Sequence, residues 1–508
     1  MHESARRRPV CCRRLSLAVA GAATLTAAWG CRGQATRSES AAPAFINIGV
    51  AQLSPTDSPI RGFRQLSQIY SVESFLRPNE EGRLQPLLAE SSKVSADGRS
   101  LQVRLRRGVK FHDGSPVDPA AVMTILPAAL KEFMGPVYSD VERVSTLDAN
   151  TVEVRFATSS PFVLEAMEAP FRKPGAAIVG TGPYVPVPNS TTEMRAFQEY
   201  YLGAPAIDRL VVTNYPSVRA AWADMLRDRI DMLYEVGTDA LDSMVGSNNI
   251  SLFTFTRHYQ YTLAFNPKSK ALRSREVRRA LSWAIDRAGI VQTALKDHGV
   301  ASSGPMAPGY WALDRSAPTF GYDVERATAQ LAGDAGAAGG RRTSLRFTCL
   351  VAPDVVTERV ALEMRRQLQQ VGVDMTVEEL PQEEFMQRSS KGEYDALLIE
   401  VISGPTLFRP YLVWRSESPL NFGHFGSATV DAALDGVRRA PSEPAYRTAV
   451  LDLQKAFMDD PPGIFVAWTV RARAVSKRFD VPAEEGRDVL STIRMWKPAP
   501  AADRASRN

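Results

Sequence analysis

The sequence predicts an α/β protein organised around a mixed β-sheet, and three observations carry that expectation. First, from Leu345 to Val401 strand and helix patterns alternate. Leu345 to Val351 is strand-like, Val356, Val360, Met364, Leu368 and Val371 recur at helical spacing, Val373, Met375 and Val377 alternate, and Tyr394 to Val401 is an apolar run. Strand, helix and strand at this spacing form a crossover unit, whose two strands lie parallel. Second, Leu101, Val103 and Leu105, and later Val152, Val154 and Phe156, alternate with polar residues, the period-two mark of half-buried strands. Third, the chain has 508 residues, 44% hydrophobic and 23% charged. That is the balance of a globular protein with ample length for a large core, about three domains' worth at ~150 residues each.

The elements follow in chain order. A basic stretch ends at Arg14, and an uncharged, mostly apolar run extends from Leu15 to Ala28. This run is shorter than the ~20 residues a membrane-spanning helix needs, so residues 1–30 read as a signal peptide. Cys31, after Ala28-Trp29-Gly30, resembles a bacterial lipoprotein cleavage site and is the expected lipidation position. The alternative is an ordinary secretory signal in which Cys31 is incidental. The pair Arg13-Arg14 fits either a basic leader or twin-arginine export. Residues 31–43, rich in Gly, Ser and Ala, read as a flexible tether. The net charge of +5 is concentrated in the leader, which holds Arg6, Arg7, Arg8, Arg13 and Arg14 against Glu3. The remainder is nearly neutral, so nothing calls for a nucleic-acid partner or an anionic membrane face.

Phe45 to Val50 opens the folded part as a strand. Gly108 marks a turn after the strand at Leu101, with Val109 to Phe111 as its return. Asp118 and Pro119 cap and start a helix carrying Val122, Ile125 and Leu126 on one face. Gly180-Thr181-Gly182-Pro183-Tyr184 reads as a tight structural turn. It lacks the third glycine of a dinucleotide loop, and Pro183 removes an N–H that a phosphate cradle needs. Residues 274–295 predict one long helix, with Val277, Leu281, Ala284, Ile285, Ala288 and Leu295 on one stripe and Ser274 as its cap. Asp323 opens another helix, Gly333 to Arg342 reads as a surface loop, Gly372 fits a left-handed helix stop, and residues 499–508 form a polar tail.

Sequence signs of catalysis or metal binding are missing. There is no Gly-x-Ser-x-Gly elbow, no phosphate loop, no His-Glu-x-x-His and no Cys-x-x-Cys. His112, His258, His298 and His424 are far apart in the chain, and no metal site or cofactor is expected. Cys349 is the one cysteine of the body; it sits in a strand-like run and reads as a buried core thiol. Carboxylates are plentiful, but no pattern among them marks a hydrolase.

Several segments resemble the bacterial extracellular solute-binding proteins of family 5, the oligopeptide, dipeptide and nickel class. Leu105-Arg106-Arg107-Gly108-Val109-Lys110-Phe111-His112-Asp113-Gly114-Ser115-Pro116 is similar to that family's signature. Gly180 to Tyr184 and Val277-Arg278-Arg279-Ala280-Leu281-Ser282-Trp283-Ala284-Ile285-Asp286-Arg287 match further hallmarks, and Ser303-Gly304-Pro305, Tyr322 to Ala327, Val371 to Val373 and Gly392 to Asp395 follow in order. The resemblance implies a periplasmic-binding-protein-like fold of type II, with two lobes, a hinge and a subdomain inserted in the first lobe. The implied division is lobe I at 44–68, 174–265 and 468–498, the subdomain at 69–173 and lobe II at 266–467. Chain crossings are expected near Ala264-Phe265-Asn266 and Val466-Ala467-Trp468. It also implies a monomeric, exported, non-enzymatic protein, periplasmic or anchored in the cell envelope through lipid alone. Such a protein captures a peptide or small-molecule ligand and hands it to an ABC permease served by a separate ATPase. A same-fold envelope sensor or chaperone, or a binder of a sugar or opine, is the alternative.

In peptide binders of this family an aspartate shortly after the strand at Tyr394 to Val401 holds the ligand's amino group. Here the chain reads Glu400-Val401-Ile402-Ser403-Gly404-Pro405, and no aspartate follows until Asp431. Glu400 is either a substitute charge, with Ser403 beside it, or a solvated strand-end carboxylate. The expected pocket wall is Phe408 to Phe425, with Trp414, Arg415, Asn421, Phe422 and His424 as candidate contacts and Arg415 suited to a ligand carboxylate. Tyr259 and Tyr261 are further candidates, and for each of these residues plain packing is the competing reading.

Overall fold

Two long strands organise the molecule, because each contributes to both halves of its principal sheet. The computed structural model describes residues 44–51, 60–175, 177–337, 345–484 and 487–500. The expected signal peptide, the tether up to residue 43, Cys31 and residues 501–508 of the expected tail lie outside the described residues. In chain order the strands are β1 (Phe45–Ala51), the hairpin β2 (Leu76–Pro78) and β3 (Leu84–Pro86), β4 (Ala89–Val94), β5 (Ser100–Leu105), β6 (Val141–Asp148), β7 (Thr151–Phe156), β8 (Tyr184–Pro186), β9 (Glu193–Ala196), β10 (Arg209–Tyr215), β11 (Met232–Val236), β12 (Ile250–Phe265), β13 (Gly299–Ala301), β14 (Arg346–Val351), β15 (Asp374–Glu379), β16 (Ala396–Ile402), β17 (Gly463–Ser476) and the short pair β18 (Phe479–Asp480) and β19 (Lys497–Pro498).

One sheet runs in the order β15-β14-β16-β12-β17-β11-β1-β10-β9-β8, with β13 added to β17. In lobe I, β1 lies parallel to β10 and β11. In lobe II, β14 lies parallel to β15 and β16. Between the two halves β12 and β17 pair antiparallel along most of their lengths. Ile250–Thr256 pairs with Ser476–Val470 on the lobe I side, and Gln260–Ala264 pairs with Trp468–Gly463 on the lobe II side. The register shifts between Thr256 and Gln260, which marks the crossing. At the expected crossings, Ala264 pairs with Leu397 of β16 and Ala467 with Ala301 of β13.

A separate four-stranded sheet, β4-β5-β7-β6, forms the subdomain with the helix Pro119–Met134. Asp118 caps that helix by accepting from the Ala121 N–H at 2.8 Å, and Val122, Ile125, Leu126, Leu130 and Met134 bury one face. A helix on one face of so small a sheet leaves the remaining apolar surface to be covered from elsewhere. Lobe II covers it: Phe75, Phe111, Phe162 and Phe171 share one core with Phe408, Tyr411, Trp414 and Phe465. Lobes I and II have their own cores around β1 with β10 and around β14 with β16.

Three local expectations are corrected. The stripe at 274–295 makes two helices, Arg275–Trp283 and Arg287–Thr293, because Asp286 takes an extended conformation and caps the second by accepting from Gly289 N–H at 2.9 Å. Ala284, Ile285 and Leu295 are buried all the same, so the apolar pattern survives the break. The helix opened at Asp323 runs Val324–Ala337, so its alanines carry it through Gly333 into the expected loop; residues 338–344 lie outside the described residues. Val109 to Phe111 does not return along β5; Lys110 bridges Pro116 around the Asp113-Gly114 turn.

The turn at Gly180 to Tyr184 has a packing explanation. A Cβ on Gly180 would lie 2.0 Å from the Ser71 carbonyl oxygen, and one on Gly182 2.2 Å from that of Tyr70. The two glycines let this segment lie against the chain's exit from the helix Arg61–Ser71, with Gly182 N–H donating to Ser71. Cys349 on β14 is fully buried, and burial pushes its thiol up to about 12.

Candidate ligand-binding site

At the crossing of β12 and β17 the sheet carries charge. Arg471 is 8% exposed and Arg473 is 4% exposed, on a strand whose neighbours are alanine and valine. Arg471 donates to Glu400 on β16 at 3.1 Å and lies 3.4 Å from Glu235 on β11. Arg257 on β12 approaches the same two glutamates at 3.5 and 3.7 Å and lies over the Tyr259 ring at 3.8 Å. Glu235 belongs to lobe I and Glu400 to lobe II, so two arginines on the crossing strands join an acid from each lobe. Arg473 is held by Asp488 at 2.7 Å and stacks near Tyr234 and Phe255. These charges are tolerable in a buried setting because each has a counter-ion.

Tyr259, Tyr261, Glu400 and Ser403 gather here. Tyr261 pairs with Glu400 across the sheet, but its ring is 1% exposed within the lobe II core, and burial pushes its hydroxyl pKa up. Ser403 N–H donates to the His258 carbonyl at 3.1 Å, while its buried hydroxyl has no hydrogen-bond partner among the described residues. Glu400 is neither a free anion nor a solvated strand end; it is neutralised by Arg471 and Arg257. Arg257, Arg471, Arg473 and Glu235 were not singled out from the sequence. The available signal was two arginines spaced by two inside an apolar strand.

The second group, Trp414, Arg415, Asn421, Phe422 and His424, is held by its own contacts. Trp414 is 1% exposed, edge-on to Phe422 and Phe465. Arg415 clasps Asp435 at 3.1 and 3.2 Å and reaches Glu417 at 3.3 Å, so its fork is occupied within the protein. Asn421 brackets its own loop: its amide donates to the carbonyls of Arg415, Ser416 and Phe425, and its oxygen accepts from Phe425 N–H. The Phe422 carbonyl accepts from the Tyr394 hydroxyl at 2.7 Å. His424 sits at φ +49° with its ring packed over Gly392.

Other residues of that stretch face open space. A cavity of 720 Å³ lies where three bodies meet, walled by Gln68 of lobe I, by Ile125, Phe133 and Arg172 of the subdomain, and by Arg409, Leu412 and Leu420 of lobe II. A second cavity of 680 Å³ shares Gln68 and Pro170 with it and runs between the subdomain and lobe I, past Glu73, Arg77, Glu168 and Asp488. The sizes suit a ligand of a few residues or a comparable small molecule.

Buried carboxylates tie these walls together. Glu73 accepts from the hydroxyls of Tyr200 at 2.7 Å, Thr181 at 2.9 Å and Tyr201 at 3.1 Å. Glu165 accepts from Phe408 N–H at 2.9 Å and from the Tyr446 hydroxyl at 3.1 Å. Burial pushes each up to about 7 against these hydrogen bonds, and pushes Glu168 up to about 8, with Glu165 adding to the effect. Among the described residues no group of three or more histidine, cysteine or acidic side chains is arranged to hold a metal ion.

Comparison with known proteins agrees with this architecture. The chain is 24% identical over 423 residues to a probable D,D-dipeptide-binding periplasmic protein of Escherichia coli, covering 75% of this chain and 78% of that one. It is 26% identical to protein XP55 of Streptomyces lividans, covering 92% and 91%. Among solved structures, the oligopeptide-binding protein of Bacillus subtilis in complex with a nonapeptide superposes with a TM-score of 0.71 at 19% identity, over 90% of this chain and 100% of that one. A nickel–histidine complex of a Campylobacter jejuni protein gives 0.74 at 21% identity, over 89% and 99%. The family model for bacterial extracellular solute-binding proteins, family 5, matches residues 83–418. With two lobes joined through β12 and β17, a subdomain bridging them and a family match over most of its length, the chain belongs to the bacterial extracellular solute-binding proteins of family 5.

Proposed function

We propose that this protein is the substrate-binding component of an ABC importer. It captures a peptide or a similar small oligomer between its lobes and delivers it to a membrane permease, whose transport is driven by a separate ATPase. The observation that carries this reading is the pair of adjoining cavities at the meeting of lobe I, the subdomain and lobe II, in a protein whose lobes share β12 and β17. A ligand touching all three walls binds the closed arrangement more tightly than an open one, and so shifts the population towards closure. The register shift between Thr256 and Gln260, opposite Trp468 and Val470, is the hinge in this reading. The charge quartet beside it keeps its acids paired through small rotations, because both arginines sit on the crossing strands.

Binding without catalysis fits the two carboxylates that burial holds near 7, since their hydrogen bonds run to neighbouring bodies of the protein. Peptide or dipeptide binding by the named relatives supports a peptide ligand, and the family's extracellular placement supports export. Acylation at Cys31 and a monomeric state complete the proposal.

The test is to purify the protein, denature it, and analyse the released small molecules by mass spectrometry, alongside thermal unfolding with peptide pools. Release of short peptides, or a melting temperature that rises with peptide concentration, is the expected result. Release of a sugar or opine would move the ligand class away from peptides. Absence of any bound compound, with no stabilisation by peptide, sugar or metal libraries, would sink the reading.

A further inference from the structure

The arginine that the sequence offered for a ligand carboxylate, Arg415, is occupied by Asp435. Six residues earlier in the chain, Arg409 is in a different position. It lines the 720 Å³ cavity, as does Arg172 from the subdomain. Both are partly buried, and among the described residues neither has a hydrogen bond or an ion pair. The neighbour facing the Arg409 guanidinium is the Phe133 ring, 5.7 Å away. Lys173, in the same wall, is already bound to Asp113 at 2.6 Å. Glu132 is the acid of this cavity; its side chain is exposed, and it stands against two arginines. Glu168, in the adjoining cavity, feels Arg409, yet burial drives it towards its neutral form and leaves little charge to offset the guanidinium.

Guanidinium groups in a partly enclosed, apolar-walled cavity are costly without a counter-ion, and their planar forks match a carboxylate. We propose that Arg409 and Arg172 form the anion-binding wall of the ligand cavity, selecting ligands that bring a free carboxylate on an apolar body. This rests on the binding-protein reading above. The apolar body follows from Ile125, Leu412 and Leu420 around the same space. A carboxylate fits better than a phosphate because Glu132 leaves a surplus of one positive charge, which a dianion would overshoot. A peptide meets the requirement through its C-terminus. With Arg471 and Arg257 already engaged by Glu400 and Glu235, the ligand's anionic end is directed away from the crossing and towards the subdomain.

The experiment compares a pool of N-acetylated tripeptides with free C-termini against the same pool as C-terminal amides, by calorimetric titration of the full chain. The wild type is expected to bind the free acids about 10-fold or more tighter, the range of one charge-assisted hydrogen bond. Arg409→Gln and Arg172→Gln should each reduce that preference, the double variant should abolish it, and Arg409→Lys should keep part of it. Since among the described residues neither arginine has a hydrogen bond or an ion pair, urea midpoints should stay close to the wild-type value, which separates lost binding from lost folding. Equal affinity for acids and amides in the wild type, or an undiminished preference in the double variant, overturns the inference and leaves the transport reading standing. If neither pool binds, the compound released on denaturation decides: an acidic group in it supports the anion wall, a neutral or purely cationic compound overturns it. No bound compound overturns the anion wall, and it overturns the transport reading as well only if peptide, sugar and metal libraries also fail to stabilise the protein.

Discussion

The subdomain is fastened to the rest of the protein by two buried glutamates of nearly equal chemistry, and the difference between them lies in the chain around them. Glu73 reaches Thr181, Tyr200 and Tyr201, residues the chain meets soon after it leaves the subdomain, and the same junction is crossed by backbone bonds such as Gly182 N–H to Ser71. Glu165 reaches Phe408 and Tyr446, 243 and 281 residues away, at a junction that no nearby covalent connection maintains. There the shared apolar core, the Arg438–Asp140 pair and the Glu165 node do the holding. A side chain at a covalently tethered junction refines a contact that chain connectivity already favours. At an untethered junction, side chains have to create the contact against the loss of conformational freedom.

That contrast makes Glu165→Ala the most damaging of the changes considered. It strands the buried Phe408 N–H and removes an acceptor of the Tyr446 hydroxyl, at an expected cost of about 3–4 kcal/mol. Glu73→Ala should cost less, about 2 kcal/mol, because its three donors are hydroxyls, which can rotate to other acceptors or to water, whereas the Phe408 N–H at Glu165 is fixed in the backbone. Urea unfolding of both variants checks the order; equal losses would break the comparison.

The pH dependence sharpens it. Both carboxylates are pushed up to about 7 in the folded protein, from a usual value of 4.5. The folded state therefore holds a proton more firmly than the unfolded state. The resulting stability is fully present below about pH 4.5 and is lost as the pH rises through 7, on the order of 3 kcal/mol for each group. Glu165→Gln and Glu73→Gln should flatten this slope. At Glu165 the amide oxygen can still accept from Phe408 N–H, and its NH₂ can donate to the Tyr446 hydroxyl, which then donates to Tyr310, its partner at 2.7 Å. The gap between stability at pH 5 and at pH 8 should shrink in the double glutamine variant, with Glu168, held up to about 8, supplying part of what remains; an unchanged slope would show that other groups set it.

The smallest effect is expected at the outer edge of the same junction. Arg83 reaches Glu443 at 2.9 Å and lies over Trp311, with both charged side chains more than 40% exposed. Exposed pairs contribute little, so Arg83→Ala should cost under about 1 kcal/mol in the same unfolding measurement. A loss rivalling that of Glu165→Ala would mean that the rim, rather than the buried node, fastens the subdomain to lobe II.

Local patterns were legible where the physics is local. Asp118 and Pro119 announced a helix that is capped as expected, and the alternation at Leu101 to Leu105 became β5. The strand–helix–strand run from Leu345 became β14, the helix Val355–Gln370 and β15. The stripe from Val277 to Leu295 was read as one helix because periodicity reports burial, and the stripe is buried; the capping by Asp286 that breaks it leaves periodicity almost intact. The cavity wall was legible only as a region. Phe408 to Phe425 contains both inward and outward residues, and composition alone does not say that Trp414 and Asn421 complete the fold while Arg409 and Leu420 face the space.

By itself the sequence determined the elements, their caps, the α/β class and, through its ordered motifs, the family. Those properties depend on neighbours within a turn or two of chain, or on motifs that can be recognised without coordinates. The tertiary structure alone decided which charges are spent and which remain. Arg415 finds Asp435, Glu400 finds Arg471 and Arg257, and Glu165 finds Phe408, while among the described residues Arg409 and Arg172 find no hydrogen bond or ion pair. Whether a charged side chain is neutralised depends on atoms within a few ångströms, and folding brings those atoms from positions tens to hundreds of residues apart.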